Sequence, residues 1–164
     1  MRPNFFQIDT TGALGDTSAE IEVLGQVYQE IVQESVDSNG FQFAQLRVVL
    51  FCVEGDHPVY GRMQILLDTS RPGTYGYLLA TQPGEQYPVI HTTYLNVVAV
   101  AEKFPGLVLQ NRGDPLMFVS DPLTAWPPDN NVYRLKLDVD FEPRANPGAT
   151  ILTARKAPVY LSKG

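Results

Sequence analysis

From Gly40 onward the chain runs in short alternating or β-branched stretches, each cut off by a cluster of turn-forming residues, and this punctuation limits what it can fold into. Leu46–Val53 is almost continuously apolar. Val59, Gly61, Met63, Ile65 and Leu67 then alternate with Tyr60, Arg62, Gln64 and Asp68. Side chains on a strand point alternately to its two faces. The first stretch therefore reads as a strand buried on both faces, and the second as its half-buried hairpin partner across Glu54–Pro58. Arg71-Pro72-Gly73-Thr74 and Gln82-Pro83-Gly84-Glu85 fit type II turns, with proline fixing φ and glycine supplying a positive φ. Thr74–Thr81 and Tyr87–Tyr94 read as strands. Leu107–Leu109 and Leu116–Val119 flank a turn at Asn111–Pro115, Val132–Phe141 alternates most cleanly, and Ala149–Ala154 can pair back. Strands joined by tight turns, without a βαβ rhythm, imply antiparallel pairing.

The segment before Gly40 reads differently. Thr17-Ser18-Ala19-Glu20 fits a capping box, and Ile21, Leu24, Tyr28, Ile31 and Val32 fall on one helical stripe with Val27 at its edge. Ser38-Asn39-Gly40 would stop that helix. Residues 95–104 fit strand through Val97, Val98 and Val100, but the spacing of Leu95, Val98 and Ala99 before Pro105-Gly106 favours a short helix. The expected fold is α+β and β-rich, a mostly antiparallel sheet of about seven to eight strands with one long amphipathic N-terminal helix. An all-β sandwich or jelly roll with an added helix is the alternative. One domain spans 1–164, with an N-terminal arm over 1–15, a globular core over 16–155 and a C-terminal tail over 156–164.

Charge excludes one class of partner. Twelve Lys and Arg against 18 Asp and Glu give a net charge of −6. With no basic cluster, the chain has no means of holding a phosphate backbone, so no nucleic-acid partner is expected. No apolar run approaches the ~18 residues of a membrane span, so no membrane partner is expected and the chain is placed in the cytoplasm or within an assembled particle. The single Cys52 lies in the apolar run and reads as a small core residue.

The search for chemistry is mostly negative. His57, between Asp56 and Pro58, reads as an exposed turn residue, and His91 as a hydrogen-bonded strand residue; neither has metal-ligand spacing. Asp138, Asp140 and Glu142 recur at alternate positions and share one sheet face, best read as solvated and matched by cross-strand cations. Arg112-Gly113-Asp114 sits in a generic turn. No catalytic, cofactor-binding or metal-binding residue is assigned, and no cofactor is expected. Tyr75, Tyr77, Tyr87 and Tyr94 lie close together along successive strands, and tyrosine offers apolar area with a polar tip. Both chain ends are apolar, although free ends are usually polar and frayed. The resulting expectation is a non-enzymatic assembly protein contacting copies of itself or other subunits, with virion coat, cement or head–tail joining proteins as the concrete type. Its candidate contacts are Phe5, Phe6, Tyr75, Tyr77, Trp126, Val159, Tyr160 and Leu161. The alternative is a small-molecule-binding domain or enzyme with a pocket between helix and sheet.

Overall fold

A computed structural model describes residues 4–129, 131–155 and 157–161. Its thirteen described strands are β1 (Asn4–Thr10), β2 (Thr17–Val36), β3 (Gln42–His57), β4 (Gly61–Leu67), β5 (Tyr75–Ala80), β6 (Val89–Leu95), β7 (Val97–Ala101), β8 (Leu109–Asn111), β9 (Leu116–Ser120), β10 (Asn131–Leu135), β11 (Val139–Pro143), β12 (Leu152–Ala154) and β13 (Pro158–Leu161). Among the described residues the only helical turn is a 3-10 turn at Gly12–Leu14. Among the described residues no helix is long and apolar enough to cross a membrane.

Every pairing is antiparallel. Eight strands close into a barrel in the order β1-β2-β3-β4-β7-β8-β11-β12, with β12 returning to β1. The other five form an annex sheet, β5-β6-β9-β10-β13, that leaves the barrel along β3. The branch is possible because β3 is long. Cys52–His57 pairs with β4, whereas Phe43–Leu46 pairs with β5 on the same edge. The annex curls back toward the barrel. Asn4 Nδ2 donates to the Tyr160 carbonyl (3.3 Å), and the Tyr160 amide donates to Asn4 Oδ1 (2.7 Å), tying β13 to β1.

The α+β expectation is therefore wrong, and the protein is all-β. The stretch 17–36 is a twenty-residue strand, not a helix. Thr17, Ala19, Ile21 and Val23 face the core, while Ser18, Glu20, Glu22 and Leu24 face out. The residues of the supposed capping box instead bond across to β1: Ser18 Oγ donates to Asp9 (2.7 Å), and the Thr17 and Thr10 hydroxyls lie 2.6 Å apart. Leu24, Tyr28, Ile31 and Val32 of the supposed buried stripe are exposed. Two β-bulges complete the disguise. The β2–β3 register skips Val49 after the Tyr28↔Leu50 pair and Val32 after the Ile31↔Leu46 pair, shifting the alternation twice. Residues 95–104 are likewise not helical; the end of β6, a break at Asn96 and β7 occupy them. Leu46–Val53 is not buried on both faces, since Val49 and Leu50 are exposed. The Val132–Phe141 run is two strands in different sheets, with an exposed Leu137 between them.

The described parts of the expected N-terminal arm and C-terminal tail contain strands that join the sheet. Phe6 and Ile8 of β1 are buried in the barrel, and Val159 of β13 packs on the same core. On the β2–β3 pair the backbones approach so closely that a Cβ on Gly25 would lie 2.5 Å from the Cys52 carbonyl oxygen.

A buried polar clasp holds the barrel where the chain crosses to the annex. Asp68, 4 % exposed, accepts from Ser70 N (3.0 Å), Ser70 Oγ (2.6 Å), Arg71 Nε (2.7 Å) and Arg144. Arg71 then donates to the carbonyls of Asn111 (2.9 Å) and Val97 (3.0 Å), and Asn111 Nδ2 donates to Asn96 Oδ1 (3.1 Å). Burial pushes the Asp68 carboxyl up, but the hydrogen bonds from Ser70 and Arg71 and the charge of Arg144 outweigh it and hold the pKa down at about 2. A depressed carboxyl contributes stability that is complete above its unfolded pKa near ~3.9 and is lost as pH falls through the folded value. Asp68→Asn should therefore cost on the order of 2 kcal/mol in urea unfolding at pH 7, and the difference from wild type should shrink between about pH 4 and pH 2.

Candidate functional site

The barrel interior is built from fully buried inward positions of seven strands, with Val53 of β3 partly buried against them. Phe6 and Ile8, Ile21 and Val23, Met63 and Ile65, Val97 and Ala99, Leu109, Phe141, and Leu152 and Ala154 are all buried in it. An eight-stranded barrel is just wide enough for its side chains to fill or to hold one small ligand. Two small, mostly apolar voids lie within it, each about the size of one water molecule. The first is bounded by Leu14, Tyr60, Leu107, Leu109, Val100 and Ala101, and the second by Phe6, Ile8, Ile21, Val23, Ile65 and Leu152 among others. Met63 and Ala99 line both. The voids are thus neighbours sharing the walls of an unbranched, adaptable thioether and a methyl group.

One end of the barrel is stoppered. Tyr60, 1 % exposed, donates its hydroxyl to the Leu14 carbonyl and lies 2.9 Å from Thr10 Oγ1. Phe104 packs edge-on against its ring, with centroids 5.4 Å apart. His57 stacks on the other side at 4.4 Å. The expected exposed turn position of His57 is overturned, because its ring is 2 % exposed at the end of β3. His57 Nδ1 accepts from the Val59 and Tyr60 amides (3.1 and 3.3 Å), so the neutral ring carries its proton on Nε2. That N–H has no protein partner among the described residues. Burial lowers the His57 pKa, which keeps the ring neutral and its Nε2 a donor.

The annex holds a second polar group. His91 sits mid-strand on β6, as expected, and both ring nitrogens are occupied. Nδ1 lies 2.7 Å from the Tyr133 hydroxyl and Nε2 lies 2.7 Å from Thr93 Oγ1. Thr93 Oγ1 reaches Gln29 Oε1 (3.3 Å), and the His91 amide donates to Ser120 Oγ (2.9 Å). A Cβ at Gly76 would strike the Gln29 amide oxygen at 2.7 Å, so a glycine leaves room for this belt. Trp126 covers the imidazole edge-on at 5.0 Å. Burial pulls the His91 pKa down to about 3 and pushes the Tyr133 phenol up. With both nitrogens engaged, the belt is a satisfied internal network separating the barrel core from a smaller apolar cluster of Ala44, Leu46, Leu78, Ala80, Val89 and Leu123.

The other singled-out residues are accounted for locally. Asp138 pairs with Arg155 (3.0 Å), Asp140 accepts from Thr153 (2.8 Å), and Glu142 accepts from Gln110 (3.0 Å) and the Gly148 amide (2.9 Å). No cluster of metal-ligating side chains occurs among the described residues. Arg112 lies 3.8 Å from Glu142, and Gly113 takes φ 72° in the turn. Cys52 is half-buried and free. Of the candidate contacts, Phe6 is buried, whereas Phe5 is exposed. Tyr75 stacks on Tyr94 at 4.9 Å and Tyr77 on Phe43 at 5.6 Å. Tyr160 is half-buried beside Asn4, and the side chain of Leu161 lies outside the described residues. The stopper is not legible in the sequence because His57 sits in what reads as a turn and Tyr60 alternates with the apolar positions of what reads as a half-buried strand.

The fold is shared with DynF. DynF, from the dynemicin biosynthesis pathway of Micromonospora chersina, superposes with a TM-score of 0.77 at 12% identity, covering 98% of this chain and 76% of that one. No protein family profile and no curated protein matches the sequence. This neighbour is a biosynthesis-pathway protein, not a virion coat, cement or joining protein, so the virion type expected from sequence finds no support in it.

Burial of His91 makes a direct prediction. Its folded pKa lies below the unfolded ~6.5, so its contribution to stability is complete above pH 6.5 and is lost as pH falls toward 3. Imidazole NMR should show His91 neutral throughout pH 4.5–8; a midpoint near ~6.5 would contradict the buried belt. Tyr133→Phe, which strips the partner from Nδ1, should lower stability by about 1–3 kcal/mol in chemical denaturation.

Proposed function

We propose that the chain is a binding protein that takes one small, predominantly apolar molecule into the barrel. The observation that carries this reading is the pair of adjoining apolar voids walled by Met63 and Ala99 inside a closed eight-stranded barrel. Each void is about the size of one water molecule, so admitting a ligand requires the Met63 side chain to swing and join them, and methionine adapts to irregular volumes at low cost. The likeness to a protein of a biosynthesis pathway is in keeping with a small-molecule ligand. Most of the wall is hydrocarbon, with Tyr60 and Glu54 as its polar members, which suits holding an apolar molecule.

The test uses the apolar fluorophore N-phenyl-1-naphthylamine. Wild-type protein should bind it saturably and with a blue-shifted emission. Ala99→Leu, which fills the shared wall of both voids, should weaken binding at least ~10-fold, about 1.4 kcal/mol, while the fold persists. Leu24→Lys, on the outer face of β2, should leave binding unchanged. Absence of saturable binding, or equal affinity in Ala99→Leu, would overturn the reading.

A further inference from the structure

We infer that β2 is a self-association edge, and that two copies of the chain pair antiparallel along Leu24–Val36 to form a discrete dimer. The inference is independent of what the barrel holds. β1 covers β2 only from Thr17 to Val23. Beyond Val23 the opposite edge of β2 has no strand partner among the described residues, while β3 continues along the other edge as far as Val36. A row of unpaired backbone donors and acceptors is a template for another strand.

Three features mark this edge as built for pairing. First, its protection is light. Residues 24–36 contain no Pro, Lys or Arg, and what guards the edge is Glu30, Glu34 and a single bulge at the exposed Val32. Second, it carries exposed apolar side chains at intervals along its length: Leu24 is 58% exposed, Val36 62%, and Tyr28, Ile31 and Val32 are also open to solvent, with Leu50 of β3 opposite Tyr28.

Third, the polarity of the strand is palindromic about Glu30. An antiparallel pairing centred there sets Leu24 against Val36, Gln26 against Glu34 and Tyr28 against Val32 of the other copy. This is the self-complementarity that a two-fold interface requires. The one like-charged meeting, Glu30 with Glu30, is relieved because each carboxylate is already paired with Arg47 of its own chain at 2.5 Å. The interface differs from the chain ends and aromatic residues expected from sequence, since Phe6 and Val159 are spent on the protein's own core.

The test is the mass in solution. Light scattering coupled to size exclusion at about 100 µM should give twice the 18.2 kDa chain mass. Leu24→Lys combined with Val36→Lys changes two side chains that are more than half exposed, and should halve the mass without changing the circular dichroism spectrum. If that variant misfolds, amide exchange of wild type decides: amides of residues 24–36 should be protected at high concentration and lose protection on dilution, while those of β7 do not change. A monomeric wild type, a dimer that survives both lysines, or exchange in β2 that is independent of concentration would overturn the proposal.

Discussion

Everything in this fold hangs on the pairing of β2 with β3. The two strands run side by side for most of their length, from Val23↔Gly55 to Val36↔Gln42, and their hairpin belongs to both halves of the molecule. At one end it supplies two staves of the barrel. Farther along, the edge of β3 released by β4 is taken up by β5, and the annex grows from it. A sheet that must serve a closed barrel and an open annex has to change its curvature between them. The bulges at Val49 and Val32 lie in that transition, where extra residues increase the local twist.

The two halves use burial differently. The barrel encloses hydrocarbon and keeps its polar groups at its ends: Tyr60, Thr10 and His57 at the stopper, and Asp68, Arg71 and Asn111 at the crossing. Isolated buried polar groups are costly, so these come as hydrogen-bonded sets. The annex instead runs a polar belt through its centre, from Tyr133 through His91 and Thr93 to Gln29. Against that background the single unanswered donor, His57 Nε2, stands out among the described residues and lies beside the stoppered end rather than in the belt.

Turn chemistry was the most legible layer of the sequence. Gly40, Gly73 and Gly84 all take positive φ where the chain reverses, and the expected hairpin forms between β3 and β4, but through Cys52–His57, so that most of the stretch read as its loop is strand. The misreading of β2 has a physical cause. Its outer face carries Leu24, Tyr28, Ile31 and Val32 while its inner face carries Ile21 and Val23, so apolar residues on both faces blur a period of two into a spacing near 3.6. The bulges shift the phase further. His57 was misplaced because its neighbours Asp56 and Pro58 belong to a turn, while the residue itself is the last inward position of β3. Neither barrel closure nor the annex is legible locally, since both depend on pairings between strands far apart in sequence, such as β1 with β12.

The central claim, that the barrel interior is where a ligand enters, is tested most directly by methyl NMR during titration with xenon. Xenon seeks dry apolar cavities without needing hydrogen bonds. The Met63 Cε and Ala99 Cβ signals should shift together and saturably, while the methyl groups of Leu78 and Val89 in the annex remain still. Unmoved Met63 and Ala99 signals, or larger shifts in the annex than in the barrel, would contradict the account.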